Sequence, residues 1–595
     1  MRVADLRINN FRGVRQGHVR FGRHTVLVGA SNVGKTTIIE ALALLFGRDR
    51  LVRELTEHDF TGSCPLPADR IELVATVTDF LGSQDPDDYL EWFRDGRGVP
   101  KFLDTVTGRL HPVRDNPEWS LACQVGFQAR FDQDALEVET VRYFHDHDGG
   151  TDPFDGDGGT TLFPAKLVNQ VGFYLVRANR TWEGVLSFGS ELFRRTIRVA
   201  KGQPADAIVT ERDRLRKPAD PIEDDPKLQP LVSSINAELA RLLPRSPSLA
   251  LRVSSTDSRG VLAAVIAHFK AGDSVAIPAS RQGSGLVSLQ ALLLLLELGR
   301  TRVADQGFLM AVEEPELHVP SPSQGRLVRR IQALSAQSVM TTHAAAVAAA
   351  GDPTAVLILR NNAGRLVANP FLESSLAPTA PNWLRRYFYQ NRYAVLAALL
   401  HESVLIPEGR SEYELMTSIA YALDLRQTWD ESAPPSFALE VGVIPTEDGT
   451  VVETCPLISR VHGRMSCLVD GDDAGDQYAN RLAALPVPPA RILQWPAGWG
   501  MEKAVGWVAE ADSAGILPKL GELAGPPSSV ADLVSVLSAN KAKPTVYEAV
   551  ASAIAETPAC AARASELLDA IALVCAGKPT ARFQLESTGV RTFVP

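Results

Sequence analysis

The stretch Gly29-Ala30-Ser31-Asn32-Val33-Gly34-Lys35-Thr36 constrains this chain more than any other. It fits the phosphate-loop pattern G-x-x-x-x-G-K-[ST], and its flanks fit as well. Thr25 to Val28 is a short β-rich run feeding the first glycine, and Thr36 to Phe46 is an apolar, helix-like run leaving the last threonine. Glycines let the backbone curl so that successive N–H groups point at phosphate oxygens, and the helix N-terminus adds its positive dipole end. Lys35 is expected at the β- and γ-phosphates of ATP and the Thr36 hydroxyl on Mg²⁺. Gly29, Asn32, Gly34 and Thr37 complete the expected cradle. An α/β fold follows.

Two later segments repeat the plan of a buried strand that delivers a reactive side chain. Phe308 to Val312 is an apolar run that releases Glu313 and Glu314 at its C-terminal end, where ligands bind in open α/β sheets. Glu313 is expected in the Mg²⁺ shell, and Glu314 is expected to polarise the attacking water. Ser338 to Thr342 is a second such strand, ending in His343.

The pattern restarts near residue 401. Ser403 to Pro407 reads as a buried strand followed by Glu408-Gly409, and Glu412 lies four residues after Glu408. With Ser411 capping a helix, Glu412 faces the site of Glu408. Met465 to Val469 is another buried strand, delivering Asp470-Gly471-Asp472-Asp473 before a helix. Glu408, Asp470 and Asp472 are hard oxygen ligands for Mg²⁺, with Mn²⁺ or Ca²⁺ as substitutes. The surplus acids Glu412, Asp473 and Glu502 favour two ions, which together can cut a phosphodiester. The competing reading of the second acidic run is a turn that caps a helix. Lys541 and Lys543 precede the helix near Val546; solvated lysines are the ordinary reading of such a pair, although either carries the charge to stabilise a reacting phosphate.

Length and composition bound the rest. A chain of 595 residues is too long for one core. The net charge of −10 means that a DNA partner must be met by a local basic surface or through metal ions. Six scattered cysteines without a C-x-x-C pair read as reduced thiols of a cytoplasmic protein. The start Met1-Arg2-Val3 is not a signal peptide, and the apolar run Ala291 to Leu298 is broken by Glu297. No membrane association is expected.

Between the motifs, Arg70 to Phe144 alternates with period two, as an antiparallel β subdomain does. His145, Asp146, His147, Asp148, Asp152, Asp155 and Asp157 crowd a glycine-rich tip. They lack calcium-loop spacing, and a solvated hairpin explains them. Residues 190 to 246 turn charged and helix-prone, strands are expected at Leu249–Val253 and Val261–Phe269, and Ser284-Gly285 opens an apolar helix.

The strand, the N-F-R-G turn at Asn10–Gly13, the next strand and the phosphate loop together resemble the SMC-like branch of the ABC ATPases. The resemblance implies that Ser284 and Gly285 are the signature that binds the partner subunit's nucleotide, and that His343 is the switch histidine. The glutamine of the magnesium loop is absent, and His58 and Asp59 stand there instead. An apolar strand ending in E-G, then one ending in D-x-D before a helix, resembles the Toprim fold. The whole order resembles the overcoming-lysogenization-defect (OLD) family of nucleases, which includes the nuclease subunit of the Gabija anti-phage system. That resemblance implies an ATP-regulated, metal-dependent DNA endonuclease of anti-phage defence, forming a homodimer or higher oligomer, with a companion helicase in some members and one of the two lysines functional. The expected divisions are an ABC ATPase over 1–190 and 247–365, a helical insertion over 191–246 that makes the dimer contact in some relatives, a connector over 366–400, a Toprim domain over 401–510 and a helical extension over 511–595. The alternative is an SMC-like DNA-repair or maintenance ATPase whose second domain binds nucleic acid without cutting it.

Overall fold

The computed structural model describes residues 1–47, 54–80, 82–94, 97–146, 152–154, 161–178, 206–242, 249–251, 309–317, 319–426, 437–521, 525–541 and 543–595, with 268–270, 273, 275–278, 281, 283, 289, 293 and 523. Largely alternating apolar residues build the N-terminal strands β1 (Arg2–Phe11) and β2 (Val14–Arg20), and a continuously buried run builds β3 (His24–Val28). Strands β4 (Ile71–Thr78), β5 (Lys101–Leu103), β6 (Leu110–His111), β7 (Ser120–Asp132) and β8 (Glu137–Phe144) follow, each antiparallel to its neighbours. After β9 (Phe173–Val176) comes a separate short pair, β10 (His268–Phe269) and β11 (Ile277–Pro278). Then come β12 (Leu309–Glu313), β13 (Gln337–Thr342), β14 (Val356–Asn362) and β15 (Arg365–Pro370).

Except for the β10–β11 pair, these strands form one 13-stranded sheet in the order β6-β5-β7-β4-β1-β2-β15-β14-β3-β13-β12-β9, with β8 on β7. Strands β14, β3, β13, β12 and β9 are mutually parallel. The antiparallel strands expected as a subdomain are therefore continuous with the parallel ones, because β1 pairs with both β2 and β4 and β2 pairs with β15. The sheet wraps the helix Lys35–Phe46, which packs on β4 and β7 and on β9, β12 and β13. A helix enclosed this way is buried nearly all round, and after its first turn its sequence is apolar on every side except at Glu40.

Two expectations about this region change. The connector was expected to start at residue 366, yet the sheet runs on through Pro370, because the turn at Ala363-Gly364 folds β15 back onto β14. Of the expected strands at Leu249–Val253 and Val261–Phe269, Leu249 to Leu251 is not strand and only His268–Phe269 is. The rest of those two segments lies outside the described residues. Within 191–246 the described part holds helices Asp206–Arg216 and Gln229–Leu242.

A second, six-stranded sheet is built from β16 (Ser403–Pro407), β17 (Val441–Val443), β18 (Met465–Val469), β19 (Arg491–Gln494), β20 (Phe583–Leu585) and β21 (Arg591–Phe593), in the order β17-β16-β18-β19-β21-β20. All its pairs are parallel except β20–β21. Strands β16 and β18 are buried at every residue, as unbroken apolar runs require when both sheet faces are covered. Their side chains alternate between two cores. Val404, Ile406, Cys467 and Val469 join a core shared with Val28, Val312 and Met340 of the first sheet, whereas Leu405 and Leu468 face the helices Arg410–Asp424, Met501–Ala509 and Pro558–Cys575.

Candidate functional site

The first site forms where the parallel strands end together. Register pairs Thr342 with Val28 and Glu313 with Thr341, so Gly29, His343 and Glu314 leave the sheet side by side. Gly34 has φ 108°, a conformation open to glycine, and begins the helix with its N–H groups facing the loop. Asn32 has φ 62°. Lys35 is buried, and its ammonium donates to the carbonyls of Gly29 and Ala30, each at 2.7 Å. Burial pushes Lys35 down to about 8, opposed by the charge of Glu314. Thr36 is exposed at the loop mouth and Thr37 is buried behind it.

Glu313 is buried, and its Oε2 accepts from the Ala178 N–H at 3.0 Å. Glu314 has φ 44°, and its Oε1 stands 3.8 Å from His343 Nε2. Burial and then Lys35 lower the proton affinity of His343, against Glu314 and Glu316. Glu316, which the sequence reading did not assign, accepts from Thr342 Oγ1 at 2.5 Å and from the His343 N–H at 3.3 Å. It holds the strand end that carries the histidine. Its signal was the E-P-E spacing after an apolar strand.

Several candidates fall elsewhere. Ser284 and Gly285 lie outside the described residues. Asp59 does not face the phosphate loop as a free carboxylate: it accepts from Arg12 Nε at 2.8 Å and from the Thr56 N–H at 3.1 Å, fixing the turn after β1. In the acidic tip, His145 is buried, Asp146 accepts from the Val99 N–H at 2.9 Å and Asp152 pairs with Arg70 at 3.2 Å. His147, Asp148, Asp155 and Asp157 lie outside the described residues.

The second site forms at the C-terminal ends of β16 and β18. Glu408 follows β16, and its Oε2 accepts from the Asp470 N–H at 2.9 Å across the sheet edge. Glu412 sits in the first turn of the helix Arg410–Asp424 and is buried. Glu502, second residue of the helix Met501–Ala509, is buried too. Burial pushes Asp470 up to about 8, and Glu412, Glu408, Glu502 and Asp472 add to it. Burial likewise raises Glu412 to about 7, with Glu502 and Glu408 reinforcing and its own N–H opposing. Glu408 also moves upward, chiefly from burial. Asp470 Oδ1 is buried with no hydrogen-bond partner among the described residues.

The structure separates the two lysines. Lys541 Nζ lies 3.6 Å from Glu502 Oε1, and Glu502, Glu412 and Asp470 raise its proton affinity against the effect of its partial burial. Lys543 instead donates to Asn540 Oδ1 at 2.7 Å. Asp472 is exposed and caps the helix Asp473–Ala483, accepting from the Gly475 N–H at 2.8 Å. Asp473 is exposed in that first turn. The expected cap at Ser411 is corrected: the helix starts at Arg410, and the Arg410 N–H donates to Asp448 Oδ1 at 3.1 Å. Ser411 is buried, its Oγ accepting from the Tyr547 hydroxyl at 3.3 Å. Asp448, missed in the sequence because its D-G pair reads as an ordinary turn, thus borders the site. Gly409 permits this approach: a Cβ there would lie 2.7 Å from Asp448 Oδ1 and 3.1 Å from Glu412 Oε2.

Among the described residues, no three His, Cys, Asp or Glu side chains stand arranged to hold a metal ion.

The first 79 residues match the AAA ATPase domain family, and they include the whole phosphate loop. The N-terminal region is an ATPase domain. No curated protein sequence matches the chain. Among solved structures, the chain is similar to the SMC head domain from Thermotoga maritima, at 14% identity over 62% of this chain and 99% of that one, with a TM-score of 0.28. An Smc head bound to the C-terminal winged-helix domain of ScpA is 14% identical over 62% of this chain and 98% of that one, with a TM-score of 0.31. The Smc head with an extended coiled coil bound to the C-terminal domain of ScpA, from Pyrococcus furiosus, is 12% identical over 62% of this chain and 96% of that one, with a TM-score of 0.32. Among the described residues no helix is long and apolar enough to cross a membrane.

Proposed function

We propose that this protein is an ATP-regulated, divalent-metal-dependent DNA endonuclease, with an SMC-like ABC ATPase followed by a Toprim-type cutting site. The observation that carries the reading is the gathering of Glu408, Glu412 and Glu502 around Asp470, whose Oδ1 is buried without a hydrogen-bond partner among the described residues, with Lys541 at the rim. Acids of one sign, pushed toward neutrality first by burial and then by each other, mark a place prepared for a cation. The donor set, all carboxylate oxygen, suits Mg²⁺ or Mn²⁺. Asp470 and Glu408 would hold a first ion and Glu412 and Glu502 a second, with Asp472 at the outer edge. Bound there, such ions activate water and stabilise the leaving oxygen of a phosphodiester. Lys541 brings a positive charge to the phosphate, the partner of that developing charge.

At the first site the loop Gly29–Thr37 would cradle the triphosphate. Lys35, now turned back onto the Gly29 and Ala30 carbonyls, would exchange those acceptors for phosphate oxygens. Glu313 and Thr36 would take the nucleotide's Mg²⁺, Glu314 would orient water and His343 would meet the γ-phosphate. Ser284 and Gly285 would complete the partner copy's site in a homodimer. DNA is the proposed substrate, and anti-phage defence, with or without a helicase partner, is the proposed setting.

The absence of a closed carboxylate cage among the described residues favours one other reading, an SMC-like DNA-maintenance ATPase whose second domain binds without cutting. Incubating supercoiled plasmid with the purified chain, varying ATP and Mg²⁺ or Mn²⁺ independently, decides between them. Nicking that requires the metal supports the endonuclease, and intact plasmid under every condition supports the alternative.

A further inference from the structure

Glu40 is 3% exposed, a carboxylate in the interior of the helix that follows the phosphate loop. Both oxygens are engaged by Arg177: Nη1 donates to Oε1, and Nη2 donates to Oε2 at 3.1 Å. A forked pair of this kind fixes direction as well as distance. Burying it costs desolvation that its attraction does little more than offset, so stability alone does not account for its presence.

Its position does. Glu40 stands four residues after Thr36, on the same side of one helix. Arg177 follows β9, whose last residue Val176 is in register with Val312 of β12, so Arg177 stands beside Glu313. The next residue, Ala178, donates its N–H to Glu313 Oε2 at 3.0 Å. The pair therefore ties the helix that carries Thr36 to the backbone that orients Glu313, and the remainder of that connection is rigid strand and helix.

We propose that the Glu40–Arg177 pair is a positioning device that fixes the spacing of Thr36 and Glu313, and so sets how tightly this ATPase site takes the divalent cation of a bound nucleotide. This rests on the assignment of Thr36 and Glu313 to that cation. Glu40 is buried and both its oxygens are taken by Arg177, so the pair acts through the elements it joins. They act on the magnesium-dependent part of binding only, since the loop N–H groups and Lys35 hold phosphate without them.

The test measures the affinity of the full chain for a fluorescent ATP analogue in Mg²⁺ and again in EDTA. Arg177→Met and Glu40→Gln should each weaken binding about tenfold in Mg²⁺, the size of an outer-shell effect on a metal site, and by less than about twofold in EDTA. Arg177→Lys keeps the charge but loses the fork, and should show a smaller loss, again confined to Mg²⁺. Equal losses with and without the metal, or no loss in Mg²⁺, overturn the proposal. Should Arg177→Met fail to fold, the same comparison on Arg177→Lys decides. Lys35→Ala serves as the control for the underlying reading: it must weaken binding in both conditions, and if it does not, the phosphate-loop assignment itself fails.

Discussion

Glu408 Oε2 accepts a hydrogen bond from the backbone N–H of Asp470 at 2.9 Å, although the two residues lie on different strands and far apart in the chain. The contact sets the Glu408 carboxylate beside the edge from which the Asp470 side chain projects. Replacing Asp470 by Ala leaves that N–H in place while removing the most perturbed acid of the cluster. Metal-dependent plasmid nicking is expected to fall by more than about a hundredfold, with the affinity for ATP unchanged. Wild-type nicking by this variant would falsify the assignment.

The metal-free protein should lose stability as the pH rises. Asp470 is raised to about 8 and Glu412 to about 7, whereas the unfolded chain holds such groups near 4. Between those values the folded state binds more protons than the unfolded one, so the contribution of these two acids to stability falls with increasing pH through that window. Melting in EDTA should show a midpoint several degrees lower at pH 8.5 than at pH 6, and Asp470→Asn should flatten that difference. Added Mn²⁺ should restore more stability at the higher pH, because only deprotonated acids take the ion. An identical pH slope in wild type and variant would show that Asp470 is not held protonated by burial and its acidic neighbours.

Lys541 and Lys543 should behave differently. Lys541 lies 3.6 Å from Glu502 Oε1, whereas Lys543 is tied to Asn540. Lys541→Ala is expected to slow nicking about a hundredfold at saturating metal. Lys543→Ala should stay within about threefold of wild type. The reverse order of effects in a side-by-side rate measurement would transfer the role to Lys543.

Gly409→Ala tests the close approach at the start of the helix Arg410–Asp424. Gly409 has φ −151°, which alanine adopts freely, so the backbone is not strained. The added Cβ would meet Asp448 Oδ1 at 2.7 Å and Glu412 Oε2 at 3.1 Å, and Glu412 is buried and has little room to move. The melting midpoint should shift by less than about 4 °C while nicking falls at least about tenfold. Full activity with this variant would show that Glu412 can retreat without cost.

The placement of the candidate residues was legible in the sequence wherever a buried strand delivers them. Leu309–Glu313, Ser403–Pro407 and Met465–Val469 are buried throughout and mostly apolar, and the acids that end or follow such a run stand at a sheet edge. Gly29 to Thr36, Glu314, Glu408 and Asp470 were therefore readable from local pattern and order. What local pattern does not carry is which edges meet. The packing of β2 against β15, which makes the ATPase sheet continuous through Pro370, is a pairing between residues at opposite ends of the first module.

The sequence by itself determined which buried strands end in acids, because periodicity and turn residues act over a few positions and need no partner. Only the tertiary structure decided that Lys541 faces the acids and Lys543 does not, that Asp448 caps the helix bearing Glu412, and that Arg177 reaches Glu40. Each of those outcomes depends on where the end of a side chain comes to rest after separate elements dock, and a few ångströms there divide a solvated charge from one held beside a carboxylate.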